Sequence, residues 1–151
     1  MENGLKFHLV TLGCPKNEVD SEKIAGTLFA DGMETTDHPD DADLIVVNTC
    51  AFVEEAREES IETILSFAEF RNEKSKIVVT GCLAERYGGE IQDSLPEVDH
   101  VAGFGVPVSL TRKTDVPELD LLNLPRPASD KPWAYLKIAE GCDRPCSFCA
   151  I

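Results

Sequence analysis

Apolar residues recur along the first hundred positions in two alternating rhythms. Short apolar-rich runs at residues 6–12, 44–48 and 76–80, the first interrupted by His8 and Thr11, have the length and the aliphatic, aromatic and β-branched content of strands. The second and third, Leu44-Ile45-Val46-Val47 and Ile77-Val78-Val79, are apolar on both faces, as strands inside a parallel sheet are. Between the runs the spacing turns helical. Asn17 reads as a cap, followed by Ile24, Ala25, Leu28 and Phe29, with Gly32 where a helix would end. A longer helix is predicted from about Val53 to Phe70, its stripe formed by Val53, Ala56, Ser60, Ile61, Ile64, Leu65 and Ala68 and its glutamates facing water. A third keeps helical spacing through Leu83, Ala84, Tyr87, Ile91 and Leu95, at some cost where Gly88-Gly89 interrupts it. Residues 33–36 and 98–104 are read as short strands, and the acidic stretch 37–43 as a loop.

Strands and helices alternating at this length predict an α/β fold with an open, mostly parallel sheet flanked by helices and right-handed crossovers. From Val106 the texture changes. Five of the nine prolines, Pro107, Pro117, Pro125, Pro127 and Pro132, fall in a stretch without periodicity, which reads as a linker. Trp133-Ala134-Tyr135-Leu136-Lys137-Ile138-Ala139 then reads as one further strand leading into a cysteine loop. The expected organisation is an α/β domain at residues 1–105, a proline-rich linker at 106–132, and the start of a second domain at 133–151.

Charge sharpens this picture. The 151 residues carry 14 Lys and Arg against 28 Asp and Glu, a formal charge of −14, and the acidic excess lies wholly before residue 126. Such a surface repels phosphate backbones and suits basic partners, so no direct nucleic-acid binding is expected of these residues. No secretory signal and no apolar stretch long enough to span a membrane is read, which gives a cytoplasmic expectation with no membrane contact. Six cysteines in that compartment are metal ligands or redox groups sooner than disulfides.

Their positions divide them into two sets. Cys14, Cys50 and Cys82 each follow a predicted strand and precede a predicted helix, which puts all three at the carboxyl edge of the sheet, where open α/β sheets bind ligands. Helix N-termini there would favour thiolate over thiol. Three thiolates could meet on one metal group, or be three separate buried cysteines. Cys142, Cys146 and Cys149 are spaced C-x3-C-x2-C, with Phe148 before the last. Three thiolates leave one iron of a four-iron cluster open, as a cluster that binds a small molecule requires. The alternative, a zinc knuckle, lacks a fourth ligand nearby. His8, His38 and His100 are isolated and read as structural or solvated.

These motifs together resemble the methylthiotransferase family, whose members are radical S-adenosylmethionine enzymes with two [4Fe-4S] clusters. The likeness is carried by Leu12-Gly13-Cys14-Pro15-Lys16-Asn17, Asn48-Thr49-Cys50-Ala51-Phe52, Thr80-Gly81-Cys82-Leu83-Ala84-Glu85-Arg86-Tyr87, Leu95-Pro96-Glu97-Val98-Asp99 and Lys137-Ile138-Ala139-Glu140-Gly141-Cys142. The resemblance implies that Cys14, Cys50 and Cys82 hold an auxiliary cluster. It implies that Cys142, Cys146 and Cys149 hold the cluster that binds S-adenosylmethionine. Gly13-Cys14-Pro15-Lys16-Asn17 is similar to the branch that inserts a methylthio group at the β-carbon of an aspartate on a small-subunit ribosomal protein. The alternatives are the branch acting on transfer RNA adenosine and a stand-alone iron–sulfur or zinc module. An electron donor such as flavodoxin or ferredoxin is implied as a partner. The family's radical domain continues well past a third cysteine, so these residues are expected to stop one strand into a truncated barrel and not to catalyse methylthiolation alone.

Overall fold

The computed structural model describes residues 4–103, 126–139 and 142–147. Its core is one five-stranded, all-parallel sheet in the order β2-β1-β3-β4-β5, formed by β1 (Lys6–Thr11), β2 (Glu34–Thr35), β3 (Leu44–Thr49), β4 (Lys76–Gly81) and β5 (His100–Ala102). Helices α1 (Pro15–Ala30), α2 (Glu54–Phe70) and α3 (Cys82–Ser94) make three of the crossovers, and a 3-10 turn at Pro39–Asp41 lies on the connection from β2 to β3. From β1 the chain goes through α1 to one edge; from β3 it goes through α2 and α3 to the other. That reversal falls between β1 and β3, and it sets α1 on one face and α2 with α3 on the opposite face.

The strand pattern explains why both faces are covered. All six residues of β3 are buried, and they alternate between two cores. Ile45 and Val47 join Ile77, Val79, Ile64 and Leu83 under α2 and α3. Leu44 and Val46 join Phe7, Leu28 and Val78 under α1. The continuous apolar runs are thus strands buried on both sides, as predicted.

Several boundaries differ from the sequence expectation. Asn17 is not a cap: α1 starts at Pro15 with Cys14 in the capping position, and Asn17 lies inside the first turn, buried. Pro15 at the first helical position explains the earlier start, since its missing N–H costs nothing there. Val53 does not begin the stripe of α2 but precedes the helix in an extended conformation and is half exposed. The third helix is bent, with Tyr87 at φ −125 and ψ 21, directly before Gly88-Gly89. The final strand of the sheet covers His100–Ala102 only, and Phe104 lies outside the described residues. His8 is structural, as read: its Nδ1 donates to the Thr36 carbonyl at 2.8 Å and its ring packs edge-on against Phe67.

The strand expected over residues 133–139 is not formed. These residues carry no regular secondary structure and pair with no strand of the sheet. The segment lies instead against α1, held by charged side chains. Most of the expected linker, residues 106–125, falls outside the described residues. Among the described residues no helix is long and apolar enough to cross a membrane.

Candidate metal centre

Parallel register brings Cys50 and Cys82 to one level, with Cys14 one residue further on at the neighbouring strand end. Thr49 pairs with Gly81, and Asn48 pairs with Thr11 on one side and Thr80 on the other. Cys50 and Cys82 therefore leave the sheet side by side. Cys14 leaves from β1 after two more residues, with Leu12 N still bonded to Asn48 O at 2.9 Å. Cys14 and Cys50 flank the point where the crossovers reverse, which is where open α/β sheets open a crevice.

Two glycines make the approach possible. Gly13 has φ +92, and a β-carbon on it would stand 2.7 Å from Cys50 Cβ and 2.9 Å from Cys50 Sγ. Gly81 has φ +89, and a β-carbon there would stand 2.5 Å from both Asn48 Oδ1 and the Thr49 carbonyl oxygen. Any other residue at either position is strained in backbone and in space.

A buried polar network then ties the cysteine turns together. Asn17 Nδ2 donates to Leu12 O at 2.7 Å and to Thr49 O at 2.9 Å, joining the Cys14 turn to the end of β3. Asn48 Nδ2 donates to Asn17 O and to Ser21 Oγ, both at 2.9 Å, and Thr11 Oγ1 donates to the same Ser21 oxygen at 2.6 Å. Thr49 Oγ1 donates to Thr80 O at 2.5 Å, one residue before the Gly81-Cys82 turn. Ser60 of α2 accepts from Cys50 N at 3.1 Å and sits 2.9 Å from Cys50 O. Asn17 and Asn48 are 2% and 1% exposed, and both amide hydrogens of each are used. Sequence reasoning missed this network. The available signal was a polar residue closing an apolar run, Asn48, and an asparagine three positions after a cysteine, Asn17.

Electrostatics link the three sulfurs. Burial pushes the Cys82 thiol up, Cys50 and Cys14 push it further in the same direction, and Lys16 opposes them. For Cys82 the direction is opposite to that expected from a helix N-terminus, with desolvation the largest cause. A cationic metal group is what would relieve such a set, since it stabilises all three thiolates at once. Among the described residues no three His, Cys, Asp or Glu side chains are grouped as ligands of a single ion. An iron–sulfur cluster takes its thiolates on different irons, so its ligands stand apart at the corners of a larger group. A donor set of three sulfurs drawn from three adjacent strand ends fits that group.

The second trio is placed differently. Cys142 and Cys146 are exposed, and Cys146 N donates to Arg144 O at 3.0 Å. Cys149 and Phe148 lie outside the described residues.

The sequence model described as "Uncharacterized protein family UPF0004" matches residues 6–103, essentially the whole sheet domain. The chain belongs to that family. Curated relatives extend the likeness over 97% of the chain. Ribosomal protein uS12 methylthiotransferase RimO of Solibacter usitatus is 45% identical, that of Sulfurihydrogenibium 46% and that of Aquifex aeolicus 47%. The resemblance to methylthiotransferases read from the motifs, and within them to the branch acting on a ribosomal protein, is borne out. This UPF0004 chain spans about a third of the length of these relatives, 34%, 34% and 33% respectively.

Proposed function

We infer that these residues form the auxiliary-cluster part of a radical S-adenosylmethionine methylthiotransferase acting on an aspartate of ribosomal protein uS12. The observation that carries this reading is the exit of Cys14, Cys50 and Cys82 from three adjacent strand ends at the sheet's carboxyl edge, with Gly13 against Cys50 and with Asn17 and Asn48 bridging the turns. Cys14, Cys50 and Cys82 would hold one [4Fe-4S] cluster, and Cys142, Cys146 and Cys149 the one that takes S-adenosylmethionine. When bound, these groups supply the radical that removes hydrogen from the unactivated carbon and the sulfur that replaces it. The protein's own contribution is placement. Asn17 and Asn48 keep the three thiols aligned before any metal arrives, and burial of Cys50 keeps water from one side of the site. Relatives named for uS12 favour the ribosomal protein over transfer RNA, and a surface of charge −14 suits a basic substrate. An electron donor of the flavodoxin or ferredoxin class completes the proposed set of partners.

The test is iron, zinc and sulfide per chain after anaerobic reconstitution, for the native chain and for a Cys142→Ala/Cys146→Ala/Cys149→Ala variant. About one four-iron cluster retained by the variant supports the reading. Retention of none, or of zinc alone, overturns it.

A further inference from the structure

We propose that Asp20 and Lys137, with Glu22 and Arg126 beside them, are positioning residues that seat the segment leading to the second cysteine loop on the helix that begins at the first. The cluster assignments it uses are those of the proposed function; the ion pairs themselves are independent of them.

Lys137 Nζ donates to both oxygens of Asp20, at 2.9 and 2.8 Å, across 117 residues of sequence. The two side chains are only 13% and 23% exposed, so this pair is screened far less than an ordinary surface pair. Arg126 Nε donates to Glu22 Oε2 at 2.7 Å, and a second guanidinium nitrogen reaches the same oxygen. The remaining nitrogen donates to Tyr135 O at 3.1 Å, so Arg126 binds its own segment as well as the helix. Lys23 lies among these charges: burial lowers its pKa, Asp20 raises it, and Lys137 and Arg126 lower it. Asp20 and Glu22 are therefore the acids that make the seat favourable against three crowded cations.

Packing does not explain the seat. A cleft of about 490 Å³ remains between helix and segment, bordered by Glu18, Glu22, Arg126, Trp133 and Tyr135, and Trp133 and Tyr135 stay 52% and 41% exposed. With close packing absent, the charge pairs decide the position. Diffuse attraction of a basic segment to an acidic protein would spread over many carboxylates, whereas here two acids of α1, Asp20 and Glu22, take Lys137 and Arg126.

Geometry gives the seat its consequence. Asp20 is six residues along α1 from Cys14, about 9 Å of helix rise. Lys137 is five residues before Cys142, a tether of at most about 17 Å even when fully extended. Fixing Lys137 on Asp20 thus bounds the separation of the two cysteine sites.

Two readouts test this. In the metal-free chain, Asp20→Asn should speed chymotryptic cleavage after Trp133, Tyr135 or Leu136 by about tenfold, the factor expected for loss of a charge-assisted bond. Glu58→Gln removes the same charge from α2 and should leave the rate unchanged, and the charge-swapped Asp20→Lys/Lys137→Asp variant should restore it. In the anaerobically reconstituted chain with both sites loaded, the magnetic interaction between the two reduced clusters should weaken in Asp20→Asn and recover in the swap. Equal cleavage of Asp20→Asn and Glu58→Gln would overturn the seat. Faster cleavage with unchanged magnetic interaction would overturn the positioning role while leaving the proposed function intact. A native chain that loads no cluster at either site would bring down the proposed function and the positioning role together, leaving cleavage to decide the seat alone.

Discussion

Cys50 is 7% exposed, with its turn bound by side chains of α1 and α2, whereas Cys142 and Cys146 are exposed in a loop whose Cys146 N bonds two residues back. The first trio is spread over 68 positions of sequence and is assembled by the sheet. The second is contained in a single short motif and depends on chain spacing alone. A site built by topology is as stable as the fold that builds it, while a site built by local spacing has little fold energy behind it. The two should therefore respond oppositely to the same kinds of change.

The largest expected effect separates the sites outright. Cys50→Ser should cost the chain about one four-iron cluster after reconstitution, with iron and sulfide falling together; unchanged iron would mean that the first trio holds none. Next, Gly81→Val forces a β-branched residue into φ +89 against Asn48 and Thr49 and should destabilise the metal-free chain by about 3–4 kcal/mol in urea unfolding. A cost under about 1 kcal/mol would mean that the Gly81 turn can rearrange, and the close approach would then not be a constraint. Asn17→Ala should cost about 2–3 kcal/mol, since it leaves the carbonyls of Leu12 and Thr49 without their donor.

A smaller effect concerns the far edge of the sheet. Asp99 is partly desolvated, which alone would raise its pKa, yet the Ile77 N–H, Lys76 and Arg71 together hold the carboxyl below the usual aspartate value. A carboxylate depressed in the folded state contributes stability that is complete above its unfolded pKa, about 3.9, and that is lost as pH falls from there through the folded value. Asp99→Asn should cost about 1 kcal/mol at neutral pH and flatten the acid limb of the unfolding curve; an unaltered acid limb would count against these contacts. The smallest effect is at the second trio: Cys142→Ser and Cys146→Ser should each change stability by less than about 0.5 kcal/mol, as exposed positions do.

Much of this molecule was legible before folding. The runs Leu44-Ile45-Val46-Val47 and Ile77-Val78-Val79 had the length and β-branched content of strands covered on both faces, and placing Cys14, Cys50 and Cys82 after strands already put them at one edge. What escaped was every contact made by a polar side chain. Asn17 at a helix start looks like a cap, because capping is the commonest local use of asparagine. Its actual partners, Leu12 O and Thr49 O, include one that lies 32 residues away. Ser60 fell on the apolar stripe of α2 with no hint that its hydroxyl binds the backbone of Cys50. Trp133 to Ala139 has strand composition, but composition does not supply a neighbour to pair with, and the ion pairs of Arg126 and Lys137 hold the segment against α1 instead.

Sequence alone determined the elements, their alternation, the edge on which the first three cysteines emerge and the local spacing of the last three, because hydrophobic period and chain spacing are local quantities. Only the tertiary structure decided the strand order 2-1-3-4-5, the register that levels Cys50 with Cys82, and the choice of Asn17 and Asn48 as the clamp between turns. Those depend on which strand ends lie side by side, and hydrogen bonds across 31 or 32 residues exist only once the sheet has brought their partners within 3 Å.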